Sequence, residues 1–587
     1  MNNKIKKLPF ALSAVLLISC VMKTQEEEVP SKALQNEIEV SKNPVENPSF
    51  VKGRPVDIAP LVSNYLAARL SESEGRTQDA AFFYDRAESA DPQNAALKEH
   101  AFMLQLALGN MEESIRLARE IAIQKNAVPI SYILLGAQSL KDGDLENAQK
   151  SFARAKAISP QLLQFHILEA YIDQAMGVDI DVVMEKLKAL PSVAGLNGVR
   201  YFHFGRLLEK AGRLEDAQRE YEFSVESDSA SLFSVLALEG VYERLGQPLK
   251  AKALMENFFK KNPENILLLK SADRFEKGLP YVSVDRSLKQ DVAGVIFEIA
   301  TLMTSQKLPM AASQVMNISL MLDEDDDFIL FYQGVMQEKV GAYALALDSY
   351  SKLNEDAFSW LAAQIRTADI LSSQNKTQEA IALIKSVLEK QNHTIVKRIL
   401  AELYYNKGDY TQAIKWYDDI LSLEENVKKD EFWVYFARGT AYERLERYEE
   451  AERDLKESIR IMPSNATALN YLGYMWVDRD ENIDEAFALI GRAILLKPND
   501  ASILDSMGWV LYKKGEYQKA ALYLKRAETY RPDDATIQMH LGDVFEKLER
   551  YQEANAYWTR ALELNPETKK DVAYLKMKLD KSSVKLK

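Results

Sequence analysis

A chain of 587 residues exceeds the size at which one hydrophobic core keeps growing, so it is built from several domains or a repeat array. Apolar residues make up 47% and charged residues 27%, as in ordinary folded proteins, while 23 glycines and 18 prolines are too few for a turn-rich β protein. The net charge of −13 argues against nucleic acid as a partner, and the single cysteine allows no internal disulfide.

The chain opens with Lys4, Lys6 and Lys7, followed by a mostly apolar stretch from Leu8 to Ile18. That stretch is about half the length needed to span a bilayer and has the proportions of a signal-peptide core. It ends Leu17-Ile18-Ser19-Cys20, which resembles the lipobox of bacterial lipoproteins. The resemblance implies cleavage after residue 19 and acylation of Cys20, the only cysteine, so that lipid ties the chain to a membrane. A conventional cleaved signal with an incidental cysteine, or an uncleaved anchor, is the competing reading. Val21, standing where an aspartate would favour the inner membrane in enteric bacteria, leans the expectation towards the outer membrane, facing the periplasm.

Residues 20–56 read as a disordered tether. Glu26, Glu27 and Glu28 form a charge run, and Pro30, Pro44, Pro48 and Pro55 recur among few bulky apolar residues. Such a segment buries too little surface to offset its chain entropy.

Beyond it a period of about 34 residues sets in. Ala68, Ala80, Tyr84, Ala87 and Pro92 mark a first block; Gly136, Ala148, Phe152, Ala155 and Pro160 mark another. Gly205, Leu208, Ala217 and Tyr221 continue the phase, and the following block closes at Pro263. Around Gly278-Leu279-Pro280 and Tyr281–Asp285 the rhythm breaks. Residues 277–290 therefore read either as a hinge between an N-terminal array, 57–276, and a C-terminal array, 291–568, or as a longer loop between helices. Gly334, Ala346 and Tyr350 resume the pattern, followed by Ala380, Tyr410, Ala413 and Tyr417. The clearest run comes last: Gly439, Gly473, Gly508 and Gly542, each followed by Ala451, Ala486, Ala520 and Ala554, and closed by Pro463, Pro498, Pro532 and Pro566. Residues 569–587 are lysine-rich and read as a polar cap on the open end of an array.

The spacing of these marks is that of two helices per block. Leu541, Gly542 and Phe545 share one face of a first helix, and Tyr551, Ala554, Trp558 and Ala561 share one face of a second. Gly542 and Ala554 are expected to meet where the helices approach closest, with the proline stopping the second helix. The pattern resembles the tetratricopeptide repeat. That likeness implies an all-α solenoid of tandem helix-turn-helix units in a right-handed superhelix, with about eleven clear units and three or four degenerate ones.

Catalytic and metal chemistry find little support. His100, His166, His203, His393 and His540 never stand four residues apart as on a helical zinc site. Asp323, Asp325 and Asp327 begin like a calcium loop, but Phe328 and Gly334 occupy the positions that need glycine and glutamate. The expectation is a non-enzyme without metal or small-molecule cofactor.

What remains is a surface. In tetratricopeptide proteins partners lie in a concave groove lined by set positions of each first helix. Carried onto this chain, those positions include Trp433, Phe436, Asn470, Tyr474, Asp505, Trp509, Tyr512 and Asp543. Exposed aromatics of this kind anchor interfaces, and the aspartates suit an extended polypeptide with apolar and basic residues. A clamp for terminal carboxylates would need lysines and asparagines, and Asn470 alone does not make one. By resemblance to bacterial tetratricopeptide lipoproteins, the function is a membrane-anchored scaffold or adaptor for other proteins of the cell envelope, recruiting clients to a protease or an envelope-assembly machine. A part in exopolysaccharide synthesis or export stays open as the alternative.

Overall fold

The computed structural model describes residues 58–585 apart from 75, 125–126, 192–194, 229–230, 263–265, 267–285, 423–431 and 567. The signal segment 1–19, Cys20, the tether to residue 56, and 277–285 of the expected hinge lie outside the described residues. Among the described residues there are 29 α-helices and no strand, arranged as fourteen consecutive pairs and a last single helix.

The first twelve helices are α1 (Ile58–Ser73), α2 (Thr77–Ala90), α3 (Ala95–Ala107), α4 (Met111–Ala122), α5 (Pro129–Lys141), α6 (Leu145–Ile158), α7 (Leu163–Ala175), α8 (Ile180–Lys188), α9 (Asn197–Lys210), α10 (Leu214–Ser227), α11 (Leu232–Arg244) and α12 (Pro248–Lys261). After the undescribed stretch come α13 (Leu288–Ser305), α14 (Pro309–Leu322), α15 (Asp327–Lys339) and α16 (Tyr343–Ser351). The remainder comprises α17 (Trp360–Ser373), α18 (Thr377–Lys390), α19 (Thr394–Lys407), α20 (Tyr410–Leu421), α21 (Phe432–Arg444), α22 (Tyr448–Ile461), α23 (Ala466–Asp478), α24 (Ile483–Leu496), α25 (Ala501–Lys513), α26 (Tyr517–Tyr530), α27 (Ala535–Lys547), α28 (Tyr551–Glu563) and α29 (Lys569–Lys585). In thirteen of the fourteen pairs the second helix packs on its own first helix, and most second helices also pack on the next first helix, which is the stacking of a helical-repeat solenoid.

Within a pair, the glycine of the first helix is fitted to one large side chain of the second. A Cβ on Gly542 would lie 2.4 Å from Trp558, on Gly334 2.3 Å from Tyr350, on Gly205 2.6 Å from Tyr221 and on Gly136 2.6 Å from Phe152. This refines the expected contact with alanine. The group against Gly508 is the Leu524 side chain, and Ala520 contributes only its carbonyl, 3.3 Å from where a Cβ would be. The alanine keeps the second helix close; the ring four residues on then fills the space that glycine leaves.

The closing prolines also start the next unit. Pro463, Pro498 and Pro532 each stand two residues before Asn465, Asp500 or Asp534, whose side chains accept backbone N–H bonds at the start of α23, α25 and α27. Arg492 and Arg526 donate to the carbonyls of Pro463 and Pro498 at 3.0 and 3.1 Å, tying each second helix to the turn before its repeat.

The described chain divides into two compact units between Thr367 and Ala368, not at 277–290. The reason lies in α13 and α14. Instead of opening a second array, this pair turns back across first helices of the earlier one: α14 packs on α3 and α5, and α13 on α5 and α7. Gln314 donates to the Met103 carbonyl at 2.8 Å, and Asn317 to those of Leu106 and Ala107 at 2.7 and 3.1 Å. Lys289 bonds the Lys141 carbonyl at the end of α5, where a cation also meets the negative end of the helix dipole. Asp291, almost fully buried, pairs with Arg206 at 3.0 Å and with Lys210. His203 joins Tyr171 and Glu298, each at 2.9 Å. A break in helical periodicity marks a connection, and the segment after it packs wherever its apolar face is buried.

The acidic run after α14 serves the chain itself. Asp326 caps α15 by accepting from the N–H groups of Phe328 and Ile329, and the Asp327 carboxylate takes the N–H of Phe358.

Candidate functional site

In the C-terminal unit, Ala368–Lys587, the first helices α23, α25 and α27 lie side by side. Their buried faces meet the second helices, and the opposite positions line the groove. No equivalent face is left open across α3, α5 and α7, because α13 and α14 lie on it.

The predicted residues divide into three groups. Trp433 and Tyr474 are half-buried along the groove. The Arg398 guanidinium lies 5.0 Å from the Trp433 ring centroid, a cation–π contact. Burial, reinforced by the carboxylates of Asp478 and Asp505, pushes the Tyr474 phenol well above its usual range and keeps it a neutral donor. Trp509 is stacked on Tyr512, centroids 4.7 Å apart, and on His540, 4.1 Å apart, so it presents an edge more than an open face.

The second group is buried. Phe436 packs edge-on against Tyr471 at 5.6 Å and belongs to the core. Asp505 bonds His540 Nδ1 at 2.9 Å. Asp543, 1% exposed, accepts from Tyr574 at 2.9 Å and Trp558 at 3.2 Å and pairs with Lys578 at 3.2 Å. Burial nonetheless pushes its carboxyl above the ordinary range. The expected acidic lining is thereby corrected. The end helix α29 supplies Tyr574 and Lys578, and His540 supplies the partner of Asp505, so neither carboxylate is available to a client.

The third group is defined by polar atoms that lack a partner. Every buried side-chain N or O atom without a protein partner among the described residues of this unit falls on a groove-lining first helix. They are Arg398 Nε, Arg444 Nε and Nη1, Asn470 Oδ1 and Trp509 Nε1. An unmet buried polar atom costs about 1–3 kcal/mol, and the other unit keeps such atoms too, on Gln164, Arg200, Gln247, Gln314 and Gln333, so by themselves they do not mark a site. Arg398 and Arg444 were missed in the sequence. They share the groove-lining phase of α19 and α21, but no local pattern tells an unpaired arginine from one in a surface ion pair.

Glu402, one turn after Arg398, belongs to the same wall. Burial raises its carboxyl from 4.5 to about 7, against the pull of Arg398, whose Nε is 3.9 Å away, and with a contribution from Asp369. Among the described residues no group of three or more His, Cys, Asp or Glu is placed to hold a metal ion, and no helix is long and apolar enough to cross a membrane.

A stack of helix pairs of this kind is the architecture of a helical-repeat scaffold. Models of the tetratricopeptide repeat match residues 394–464, 436–501 and 506–568, so this part of the chain carries tetratricopeptide repeats. Such repeats support a scaffold for protein–protein interaction. A TPR repeat-containing protein of Pseudomonas aeruginosa is 31% identical over 34% of this chain, which spans 33% of that relative's length. One of Methanocaldococcus jannaschii is 23% identical over 68% of this chain and 69% of its own. Among solved structures, yeast Tom70 aligns over 90% of this chain and 96% of that one, with 13% identity and a TM-score of 0.36.

Proposed function

We propose that this protein binds an extended segment of another polypeptide along the groove of α19 to α27, and does so while tied by lipid on Cys20 to a membrane of a bacterial envelope, on the periplasmic side. In this reading the partner is another envelope protein, delivered to a protease or an assembly machine. The observation that supports it is the row of half-buried aromatic rings, Trp433, Tyr474, Trp509 and Tyr512, on successive first helices of the C-terminal unit. An extended chain can lay alternate side chains against such rings.

The test is affinity capture of the full chain from its own cells in mild detergent, beside a variant carrying Trp433→Ala, Asn470→Ala and Trp509→Phe. The phenylalanine keeps the aromatic stack and removes only the donor. One partner held in stoichiometric amount by the parent and released by the variant supports the groove; equal recovery from both sinks it. Cys20→Ala releases the chain into the soluble fraction, and continued membrane association would remove the lipid anchor from the proposal.

A further inference from the structure

The first and last helices of the repeat series are finished differently. After α28 the series closes with α29, a lysine-rich helix that packs on it. Before α1, no helix stands among the described residues. Leu66 and Leu70, two residues either side of Ala68, are 60% and 56% exposed, and Val62, one turn before Leu66, is 46% exposed. The repeat phase shows what such a face receives. Ala68 holds the place of Gly473, Gly508 and Gly542, so Tyr471, Ser506 and His540 match Leu66, and Met475, Val510 and Val544 match Leu70. All six are buried. The helices of the preceding unit cover them: His540 lies on Trp509 of α25, and α26 packs on α27. On α1 the same face has no such cover, and an open-ended array needs its ends polar or covered.

We infer that α1 is a self-association face, and that two copies of this chain pair through Val62, Leu66 and Leu70 about a two-fold axis at Leu66. The three side chains recur every four residues, about 6 Å apart along the helix. That line is its own complement. An antiparallel copy centred on Leu66 sets Val62 of one chain against Leu70 of the other, as a closed two-fold interface requires. Charge selects the same arrangement. The charged residues of α1 are Arg69 and Glu72, and both follow Leu66. Antiparallel pairing lays them beside the uncharged first half of the other helix, with Arg69 opposite Ser63; parallel pairing would set Arg69 on Arg69. Arg69 and Glu72 also pair with each other at 3.1 Å, so α1 offers no free cation to an anionic lipid surface. Three side chains from each copy bury less area than a permanent dimer, which gives a Kd of about 10–100 μM. The inference does not depend on the groove reading.

The experiment is sedimentation equilibrium on the chain without residues 1–19 and with Cys20→Ala, so that neither leader nor lipid drives association. Over about 1–200 μM it should pass from monomer to dimer. Leu66→Glu puts like charges on the axis and should stay monomeric throughout, with an unchanged helical signal because the residue is exposed. Leu66→Cys on the same background should form a disulfide-linked dimer with oxidised glutathione as the oxidant, because the axis brings the residue to its own copy. Leu522→Cys, equally exposed on α26, should not. A chain that is monomeric at every concentration overturns the inference, and so does a dimer that survives Leu66→Glu. Binding to phosphatidylglycerol vesicles that Leu66→Glu abolishes, by a chain that stays monomeric in solution, gives the face to lipid and overturns the second copy.

Discussion

The indole of Trp509 lies on the imidazole of His540, with ring centroids 4.1 Å apart and planes 12° from parallel. His540 is held in turn by Asp505, and Tyr512 stacks on Trp509, so one groove-lining ring from α25 is locked by two helices. The ring stabilises the stack, and its Nε1 has no acceptor among the described residues.

Trp509→Ala should therefore lower stability by about 2 kcal/mol, less than full burial would give because the ring is half-buried. Trp509→Phe should leave the denaturation midpoint almost unchanged and weaken the client by about fivefold, the loss of one neutral hydrogen bond. Urea melts and peptide titrations on the same samples check both. A large stability loss in the phenylalanine variant would show that the indole nitrogen has a structural role.

Two glycines of the C-terminal unit make a matched comparison. A methyl on Gly542 would stand 2.4 Å from the Trp558 ring, and Gly542→Ala should cost about 1–3 kcal/mol. The nearest atom to a methyl on Gly491, inside α24, is 4.0 Å away at Met507. Gly491→Ala should stabilise by about 0.5–1 kcal/mol through helix propensity alone. Thermal melts that moved in the same direction for both would contradict the fitted contact.

Glu402 predicts a pH response. With its native carboxyl raised from 4.5 to about 7, the folded chain holds a proton that the unfolded chain has lost across that interval. This contribution is complete below about pH 4.5 and disappears as pH rises through about 7, amounting to at most ~3 kcal/mol. Glu402→Gln should remove that slope and be the more stable form at pH 8. Melts across the range decide it, and identical slopes would place Glu402 in a more hydrated setting.

Asp291 tests the fold-back of α13. Asp291→Asn leaves Lys210 and Arg206 without their anionic partner in a buried site. The cost should be about 2 kcal/mol, below the usual range for a broken buried pair because Arg206 keeps Glu209 at 2.9 Å. Hydrogen exchange should show faster opening of α13 and α14, while exchange in α23 to α28 stays at the parent rate. Uniform acceleration would contradict the division into two units.

The repeat architecture was legible without coordinates because it rests on local, recurring demands. A small residue must face a ring, a proline must end a helix, and the same offsets return each turn of the period, as Gly542, Trp558 and Pro566 do. The order of helices and the rings of the groove follow from that phase. Partnership did not follow. Asp543 and Arg444 are both charged residues on first helices, and only packing shows that Tyr574 and Lys578 meet the aspartate while the arginine is enclosed beside Tyr405 and Glu443. The course of α13 and α14 across α3, α5 and α7 was equally hidden, since its contacts join residues about two hundred positions apart, as between Asn317 and Leu106. Periodicity reports which face of a helix is apolar; which surface covers that face, and which charge is left without a partner, are settled only when distant segments compete for the same burial.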